Sequence, residues 1–216
     1  MAEESPDAVE AIVRNYCAAA QSQADSLRAS TMEVQIQGAF PKLSKTGKLR
    51  ALRRISALGR ITYQVLFFEG DGTVKRELIA RYLAAEIGAQ QDRAAAMAVS
   101  PDNYRFHFKG RSQLDGRDVY WFQVAPKHKA EGLFRGDLWI DAATYLKVQE
   151  SGYLVKTPSF FLKRVAFTRK YEIRDGRAVP LRMESVADTR LVGRAELTID
   201  YSNYALDDTD AVEDFR

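Results

Sequence analysis

Residues 132–141, which read GLFRGDLWID, decide the fold of this chain. Leu138 and Ile140 alternate with more polar or aromatic neighbours, and side chains alternate in this way on a strand with two different faces. A short turn is predicted at 141–144, followed by a partner strand over 145–151. Because an isolated hairpin is only marginally stable in water, this pair of strands needs a larger sheet around it.

A length of 216 residues allows one large β-rich domain or two small ones, and a single domain over residues 1–216 is predicted because no repeat or low-complexity linker divides the chain. Of the 216 residues, 46% are hydrophobic and 28% are charged, which are ordinary values for a globular protein. The net charge of +3 is unevenly distributed, because residues 207–216 carry −4 and the rest of the chain carries +7. A mildly cationic body with an acidic tail is too weakly charged to predict nucleic-acid binding.

Three further features bear on the cellular compartment. The single cysteine, Cys17, excludes an internal disulfide. No apolar run reaches 18 residues, so no transmembrane helix is expected. Residues 1–4, MAEE, are acidic where a signal peptide would be basic and then apolar. The chain is therefore either a cytosolic protein or an exported protein whose signal peptide has been removed.

An amphipathic helix is predicted within residues 1–30. The sequence Ser5-Pro6-Asp7 supplies a capping hydroxyl, a proline suited to the first turn and an acidic side chain. Ile12, Val13 and Tyr16 then follow at helical spacing, and the opposite face is polar. The apolar face of this helix must lie on another apolar surface.

A half-buried strand is predicted over residues 31–40, with Met32, Val34 and Ile36 on its apolar face. The following stretch, 41–60, is basic and has no acidic side chain. Its charges either contact an anionic surface or form the solvated outer face of a hairpin. The residues predicted to make the anionic-surface contact are Lys42, Lys45, Lys48, Arg50, Arg53 and Arg54.

The region from residue 70 to residue 97 is ambiguous. A hairpin turn is predicted at Gly70-Asp71-Gly72, because glycine readily adopts a positive φ. We predict a strand over 73–81, although Leu78, Ile79 and Tyr82 also fit a helical stripe. The alanine-rich stretch 83–97 favours a helix by propensity.

From residue 103 onward the pattern is β to the end. The sequence as a whole predicts a mainly β (α+β) fold with about eleven antiparallel strands and two helices. A meander of this size curls into a half-barrel, and helices then pack on its concave face. Either that concave face encloses an elongated apolar ligand, or the helices fill it completely.

Several short motifs resemble one known group of proteins. They are the hairpin beginning Gly136-Asp137-Leu138-Trp139-Ile140-Asp141, the strand over 120–126 that ends in proline, and the step Gly176-Arg177-Ala178-Val179-Pro180. In this order they are similar to the LolA/LolB superfamily of periplasmic lipoprotein carriers and the related outer-membrane lipoprotein-sorting proteins. The resemblance extends over about residues 103–204. It implies an eleven-stranded half-barrel with helices as a lid, no cofactor, and a hydrophobic cavity that receives acyl chains.

Enzymatic activity is not expected. His107 lies on a predicted strand and His128 in a loop, both are expected to face solvent, and neither has a partner at metal-ligand spacing. No nucleophile or phosphate-loop motif is present. The carboxylates of Asp137, Asp141 and Glu150 would have to converge across a cleft to act in hydrolysis. We therefore expect no catalytic residue, no metal and no cofactor.

The first functional hypothesis is a monomeric periplasmic carrier or binding protein for lipid, acyl chains or a lipoprotein. A membrane surface is a further candidate contact, and nucleic acid is not an expected partner. The alternative is an envelope sensor or scaffold that binds a protein through the sheet or the basic hairpin and has no ligand cavity. In the first hypothesis the cavity is lined by Ile12, Val13, Tyr16, Met32, Val34, Ile36, Phe106, Phe108, Phe122 and Leu138.

Overall fold

A single antiparallel sheet dominates the structure. The computed structural model describes residues 4–92, 94–157, 162–190 and 193–207. Within these ranges the strands are β1 (Ser30–Phe40), β2 (Lys45–Ile55), β3 (Ile61–Gly70), β4 (Tyr104–Leu114), β5 (Arg117–Pro126), β6 (Phe134–Asp141), β7 (Lys147–Leu154), β8 (Leu162–Arg174), β9 (Arg177–Thr189) and β10 (Arg194–Leu206).

The first and last strands pair with each other inside this sheet, as the third and fourth strands from the β3 edge. The order of the ten strands is β3-β2-β1-β10-β9-β8-β7-β6-β5-β4, and β1 pairs with β10 through residues such as Ile36 and Ile199. All other neighbours are consecutive hairpins along the chain. The order does not return on itself, so the sheet is not closed into a barrel and β3 and β4 form its two edges.

The N-terminal helix, α1 (Pro6–Ser26), begins as the sequence predicts. The side chain of Ser5 accepts a hydrogen bond from the backbone nitrogen of Ala8 at 3.3 Å, and Pro6 occupies the first turn. Near the other end, the amide of Gln23 donates to the carbonyl of Ala178 at 3.2 Å and accepts from its nitrogen at 3.0 Å. This paired contact fixes the end of α1 to β9.

The predicted hairpin turn at 70–72 and the predicted strand over 73–81 are both wrong, because the chain enters a helix there. The carboxylate of Asp71 accepts a hydrogen bond from the backbone nitrogen of Thr73 at 2.7 Å and caps the first turn. The helical elements are α2 (Gly72–Val74), a π-helical turn (Lys75–Ile79), α3 (Ala80–Asp92) and α4 (Ala94–Met97). The loss of this strand brings the predicted eleven strands down to ten.

Two apolar clusters lie between the helices and the sheet. The first cluster packs α1 on β4–β8, and its buried members include Ile12, Val13, Tyr16, Phe122 and Leu138. The second cluster packs residues 72–92, which we call the α2–α3 segment, on β1, β2, β9 and β10; its buried members include Met32, Val34, Ile36, Val74 and Ile79. Each helical element therefore covers its own half of the concave face.

A pair of glycines lets β6 and β7 approach closely within the stretch that decides the fold. Gly136 is paired with Gly152 across the two strands. A Cβ atom added to Gly136 would lie 1.9 Å from the backbone oxygen of Ser151, and one added to Gly152 would lie 2.2 Å from the backbone oxygen of Arg135. No side chain can be accommodated at either position without moving backbone.

The chain termini are described only in part. Residues 1–3 of the predicted N-terminal region and 208–216 of the predicted acidic tail lie outside the described residues. Asp207 is described: its carboxylate accepts a hydrogen bond from the hydroxyl of Thr31 at 2.8 Å and lies 3.9 Å from Arg54. A single domain over residues 1–216 stays a prediction.

Candidate functional site

One row of paired side chains crosses the whole concave face. Residues directly opposite each other on antiparallel strands share a face. The row, which we call the central row, consists of Phe108, Phe122, Leu138, Glu150, Arg169, Met183, Ile199, Ile36, Leu49 and Phe68. Of these ten, the fourth and fifth, Glu150 and Arg169, are charged and the rest are apolar. An ion pair therefore separates two apolar halves of the concave face.

The charged centre of this row involves four side chains. Oε1 of Glu150 accepts hydrogen bonds from Nη1 of Arg169 and from the hydroxyl of Tyr171, both at 3.0 Å. Nζ of Lys147 lies 3.5 Å from Oε2 of the same carboxylate and 4.4 Å from the centre of the Tyr171 ring. We call Lys147, Glu150, Arg169 and Tyr171 the central cluster. It places two cations on one carboxylate.

Exposure differs sharply within the central cluster. The side chain of Glu150 is 3% exposed, whereas those of Arg169 and Lys147 are 42% and 32% exposed. The carboxylate is therefore covered by its partners, while both cations remain accessible to solvent. Burial alone would raise the pKa of Glu150, but the charges of Lys147 and Arg169 lower it to about 2, so the acid is ionised at neutral pH.

Tyr16 brings α1 against the central cluster. Its side chain is buried, and burial raises the pKa of its hydroxyl, with opposing contributions from the nearby charges of Lys147 and Glu150. Its ring also lies 6.4 Å from that of Phe106, on β4. Tyr16 is therefore the point at which the N-terminal helix meets both the aromatic half of the concave face and its charged centre.

A second buried ion pair holds α3 on the other half of the concave face. Oε1 of Glu86 accepts hydrogen bonds from Nε and Nη2 of Arg53, at 3.1 and 2.9 Å. The hydroxyl of Tyr63 donates to Oε2 of Glu86 at 2.5 Å. Tyr82 lies one helical turn before Glu86. Burial raises the pKa of its hydroxyl, the charge of Glu86 raises it further, and the charge of Arg169 lowers it. The α2–α3 segment thus borders the central cluster from the side opposite α1.

The predicted cavity residues all face the concave side, but in two groups. Ile12, Val13, Tyr16, Phe106, Phe108, Phe122 and Leu138 belong to the first cluster or pack against it, and Met32, Val34 and Ile36 belong to the second. Eight of them are buried and the two remaining phenylalanines are partly buried. In this structure they pack against helices, and their role in binding a ligand stays a prediction.

Two grooves among the described residues each border one predicted cavity residue, Met32 or Val34. One, of about 290 Å³, is lined by Met32, Glu172, Arg174, Val179, Pro180, Leu181 and residues 201–204. The other, of about 240 Å³, is lined by Glu33, Val34, Gln35, Lys48, Arg50, Ala51, Leu66 and Ser202. Both linings are mixed in polarity, unlike the apolar cavity that the sequence resemblance implies.

The basic residues predicted to contact an anionic surface do not all lie on one face. Arg53 is buried against Glu86 on the concave side, so its inclusion was wrong: alternation along β2 puts it on the same face as Leu49 and Ala51. Lys48, Arg50 and Arg54 alternate with it and lie on the convex face, while Lys42 and Lys45 lie at the β1–β2 turn. An anionic-surface contact by these five stays a prediction.

The carboxylates considered for hydrolysis do not converge. Asp137 accepts a hydrogen bond from Nε1 of Trp121 at 2.8 Å on the convex face, and Asp141 binds the backbone of the turn at 143–144. Glu150 lies on the other face of the sheet. Both histidines are exposed, as predicted. Across the described ranges, no group of three or more metal-ligating side chains is found.

Sequence reasoning missed the central cluster as a site. From the sequence, Glu150 is considered only as one of three candidate acids for hydrolysis, and Arg169 has no predicted role. The available signal was a charged residue at a core-facing position in two separate strands. Their contact depends on the pairing of β7 with β8, which the sequence pattern alone does not define.

The group that the sequence resembles is also found among solved structures of similar shape. This chain is similar to a DUF1329 family protein from Desulfovibrio piger (16% identity, 92% of this chain and 94% of that chain, TM-score 0.48). It is similar to a LolA superfamily protein from Nitrosomonas europaea (13% identity, 91% and 92%, TM-score 0.40). A domain from Vibrio parahaemolyticus, described as an outer membrane lipoprotein-sorting protein, shows 12% identity over 91% and 93%, with a TM-score of 0.41.

These likenesses concern overall shape. With identities of 12–16% and TM-scores below 0.5, they carry neither residue roles nor a function over to this chain. No protein-family model and no curated protein matches the sequence. None of the described helices is long and apolar enough to cross a membrane.

Proposed function

We propose that this protein is a non-enzymatic binding or carrier protein of the bacterial envelope, acting in the periplasm on lipid, acyl chains or a lipid-modified protein. The observation that carries the proposal is the central row: apolar side chains extend from β4 to β3, and helices rather than another sheet cover them. The sequence resemblance to lipoprotein carriers adds the compartment and the class of cargo.

Ligand entry requires a helical element to move, because the cavity residues are packed in the structure described. The α2–α3 segment is the better candidate for this movement. Apart from Val74 and Ile79, its apolar contacts are made by partly buried side chains, including Leu78, Tyr82 and Leu83. An acyl chain that replaced these apolar contacts while the Arg53–Glu86 ion pair stayed in place would exchange one apolar surface for another, at little cost in buried area.

Binding of acyl ligands to delipidated protein tests the proposal. We expect methyl oleate to bind with a dissociation constant in the micromolar range, and hydrogen exchange in the α2–α3 segment to change on binding. As a control, backbone amides in turns on the convex side of the sheet should exchange hydrogen at the same rate with and without ligand. Absence of binding at about 1 mM methyl oleate and oleate would remove the proposed function.

A second candidate function, protein binding, is favoured by β3. This edge strand exposes Val65, Leu66 and Phe67 consecutively, beside the basic convex side of β2. An extended acidic and apolar segment of a partner could add to such an edge. Capture of a candidate partner that is lost in Val65→Lys, by a protein that binds neither methyl oleate nor oleate, would support this function over the first.

A further inference from the structure

The central cluster has more positive charge than its own neutrality requires. One cation is sufficient to balance the carboxylate of Glu150, yet both Arg169 and Lys147 lie within 3.5 Å of it. Glu150 is ionised and the pKa of Lys147 is raised, chiefly by Glu150 acting against burial, so the three groups together carry +1 at neutral pH. This excess charge lies at the centre of an otherwise apolar row.

The excess charge belongs to two side chains that are partly open to solvent. The carboxylate is the buried member, while 42% of the Arg169 side chain and 32% of the Lys147 side chain are exposed. Among the described residues, the hydrogen bond to Glu150 uses Nη1 of Arg169, and no hydrogen bond involves its Nε or Nη2. A guanidinium with two free donors can bind a planar carboxylate or a phosphate through parallel hydrogen bonds.

The surroundings of these cations are suited to an amphipathic ligand. The central row continues with Leu138 on one side and Met183 on the other, both buried. The cations also rest on aromatic rings: Cζ of Arg169 lies 4.7 Å from the ring centre of Phe167, and Nζ of Lys147 lies over Tyr171. Such packing holds long side chains in place and reduces the entropy lost on binding.

We infer that Arg169 and Lys147 bind the oxyanion head group, a carboxylate or a phosphate, of an amphipathic ligand whose apolar chain lies along the central row. This inference rests on the proposed lipid-binding function and specifies the class of ligand within it. It makes neutral lipids the weaker ligands, because they leave the excess charge without a counter-ion.

The test compares ligands that share a chain and differ in head group. Delipidated protein is titrated with oleate, methyl oleate, dioleoyl phosphatidic acid and inorganic phosphate. We expect oleate to bind about tenfold more tightly than methyl oleate, as one charge-assisted hydrogen-bond pair provides. A larger preference for phosphatidic acid would identify a phospholipid as the source of the oxyanion, and a larger preference for oleate would identify a free fatty acid.

Two variants assign the preference to the central cluster. Arg169→Gln and Lys147→Gln each remove one charge, and each should reduce the ratio of oleate affinity to methyl oleate affinity towards unity. Lys147→Gln leaves Glu150 bound to Arg169 and Tyr171, so it remains informative if Arg169→Gln does not fold. Lys170→Gln is the matched control, because Lys170 is adjacent in β8 but pairs with Asp115 at 3.2 Å on the opposite face.

The outcomes separate the inference from the proposed function. Equal binding of oleate and methyl oleate by the unmodified protein, or a preference that survives both variants, would overturn the head-group site while lipid binding stands. Failure of all four ligands to bind would overturn the proposed function and the inference together. Binding of inorganic phosphate alone would show an anion site without a lipid chain, and would also contradict the inference.

Discussion

Glu150 shows how one buried carboxylate can organise the centre of a sheet. Apolar neighbours in the central row would make an unpaired charge there very costly, and three donors from two strands remove that cost. The strands β7 and β8 are thereby joined by a side-chain network as well as by backbone hydrogen bonds. Removing a side chain that binds Glu150 should therefore leave its buried charge less well balanced and also weaken the pairing of β7 with β8.

The stability of the protein should fall in acid partly because of Glu150. Its pKa is about 2 in the folded protein, against an ordinary value of 4.5, so its contribution is complete above pH 4.5 and is lost as the pH falls towards 2. This corresponds to about 3 kcal/mol of unfolding free energy. Denaturant unfolding of Glu150→Gln between pH 7 and pH 2 should show a correspondingly weaker dependence on pH.

Glu184→Gln serves as the control for that measurement. Glu184 is paired with Arg182 at 2.8 Å, but its side chain is 56% exposed. Removing its charge should change the unfolding free energy by less than about 1 kcal/mol at any pH. Equal pH profiles for Glu150→Gln and the unmodified protein would contradict the assigned role of Glu150.

Two glycine-to-alanine substitutions should act in opposite directions. Gly136→Ala places a Cβ atom against the backbone of Ser151, which cannot move without breaking the β6–β7 pairing, so a loss of about 3 kcal/mol or more is expected. A Cβ added to Gly88 in α3 would meet no heavy atom within 4 Å apart from its chain neighbours and the helix's own backbone, so Gly88→Ala should stabilise the protein by about 0.5–1 kcal/mol. Urea unfolding at pH 7 measures both changes. An unchanged unfolding free energy for Gly136→Ala would show that β6 and β7 can move apart to accommodate the added methyl group.

For single residues, the sequence predicts which face of the sheet a side chain occupies better than it predicts which residue that side chain contacts. Alternation correctly placed Met32, Val34 and Ile36 on the covered face of β1. The same alternation in β2 places Arg53 on the concave face of the sheet. The positive charge along 41–60, however, indicated that the whole stretch is exposed to solvent. The acid that stabilises Arg53 is Glu86, 33 residues later in a helix that was predicted without its packing.

The α2–α3 segment is the element whose structure the sequence predicted least well. Residues 73–81 contain apolar side chains compatible with both strand and helix periods, so local pattern does not decide between them. Asp71 decides it by capping the first turn, and Gly38 of β1 decides where the helix packs: a Cβ added there would lie 2.9 Å from Val74. Such a long-range contact is not visible in a single sequence.

Removing Glu86 should loosen the α2–α3 segment selectively. Glu86→Ala leaves the buried guanidinium of Arg53 without its carboxylate, which costs about 3–5 kcal/mol for buried pairs. Because the pair joins α3 to β2, amide hydrogen exchange should accelerate most in residues 72–92 and in β3. Exchange in α1 should change little, since the first cluster does not include this pair.

Glu77→Ala is the matched control on the same helical segment. Glu77 forms an exposed ion pair with Arg81 at 2.7 Å, one turn away, and such pairs contribute only a few tenths of a kcal/mol. Uniform acceleration of exchange over the whole chain in Glu86→Ala would contradict a local role and indicate global destabilisation. The same variant should also bind methyl oleate more readily if movement of this segment limits entry.

The whole molecule is one sheet assembled from local hairpins and one long-range pairing. The hairpins from β4 to β10 follow from short turns between alternating stretches, which is why the sequence predicted them in order. The pairing of β1 with β10 brings residues near 36 and 199 together and completes the sheet. No local pattern specifies it, so the sequence did not predict this pairing.

An unclosed sheet has edges, and β3 is the more apolar of the two edges here. Val65 and Phe67 are about half exposed on opposite faces of it, beside unpaired backbone groups. The protein is expected to be monomeric when dilute, but edge strands of this kind favour intermolecular pairing. Light scattering during size-exclusion chromatography should therefore show an average mass that increases above about 0.1 mM.

Val65→Lys should abolish that increase, because a charge on an edge strand opposes pairing with a second strand. Its stability should change by less than about 0.5 kcal/mol, as for other exposed positions. Leu58→Lys is the control: Leu58 is 91% exposed but lies in the turn between β2 and β3, so this variant should associate like the unmodified protein. If both lysine variants suppress association equally, added net charge rather than the β3 edge accounts for the effect.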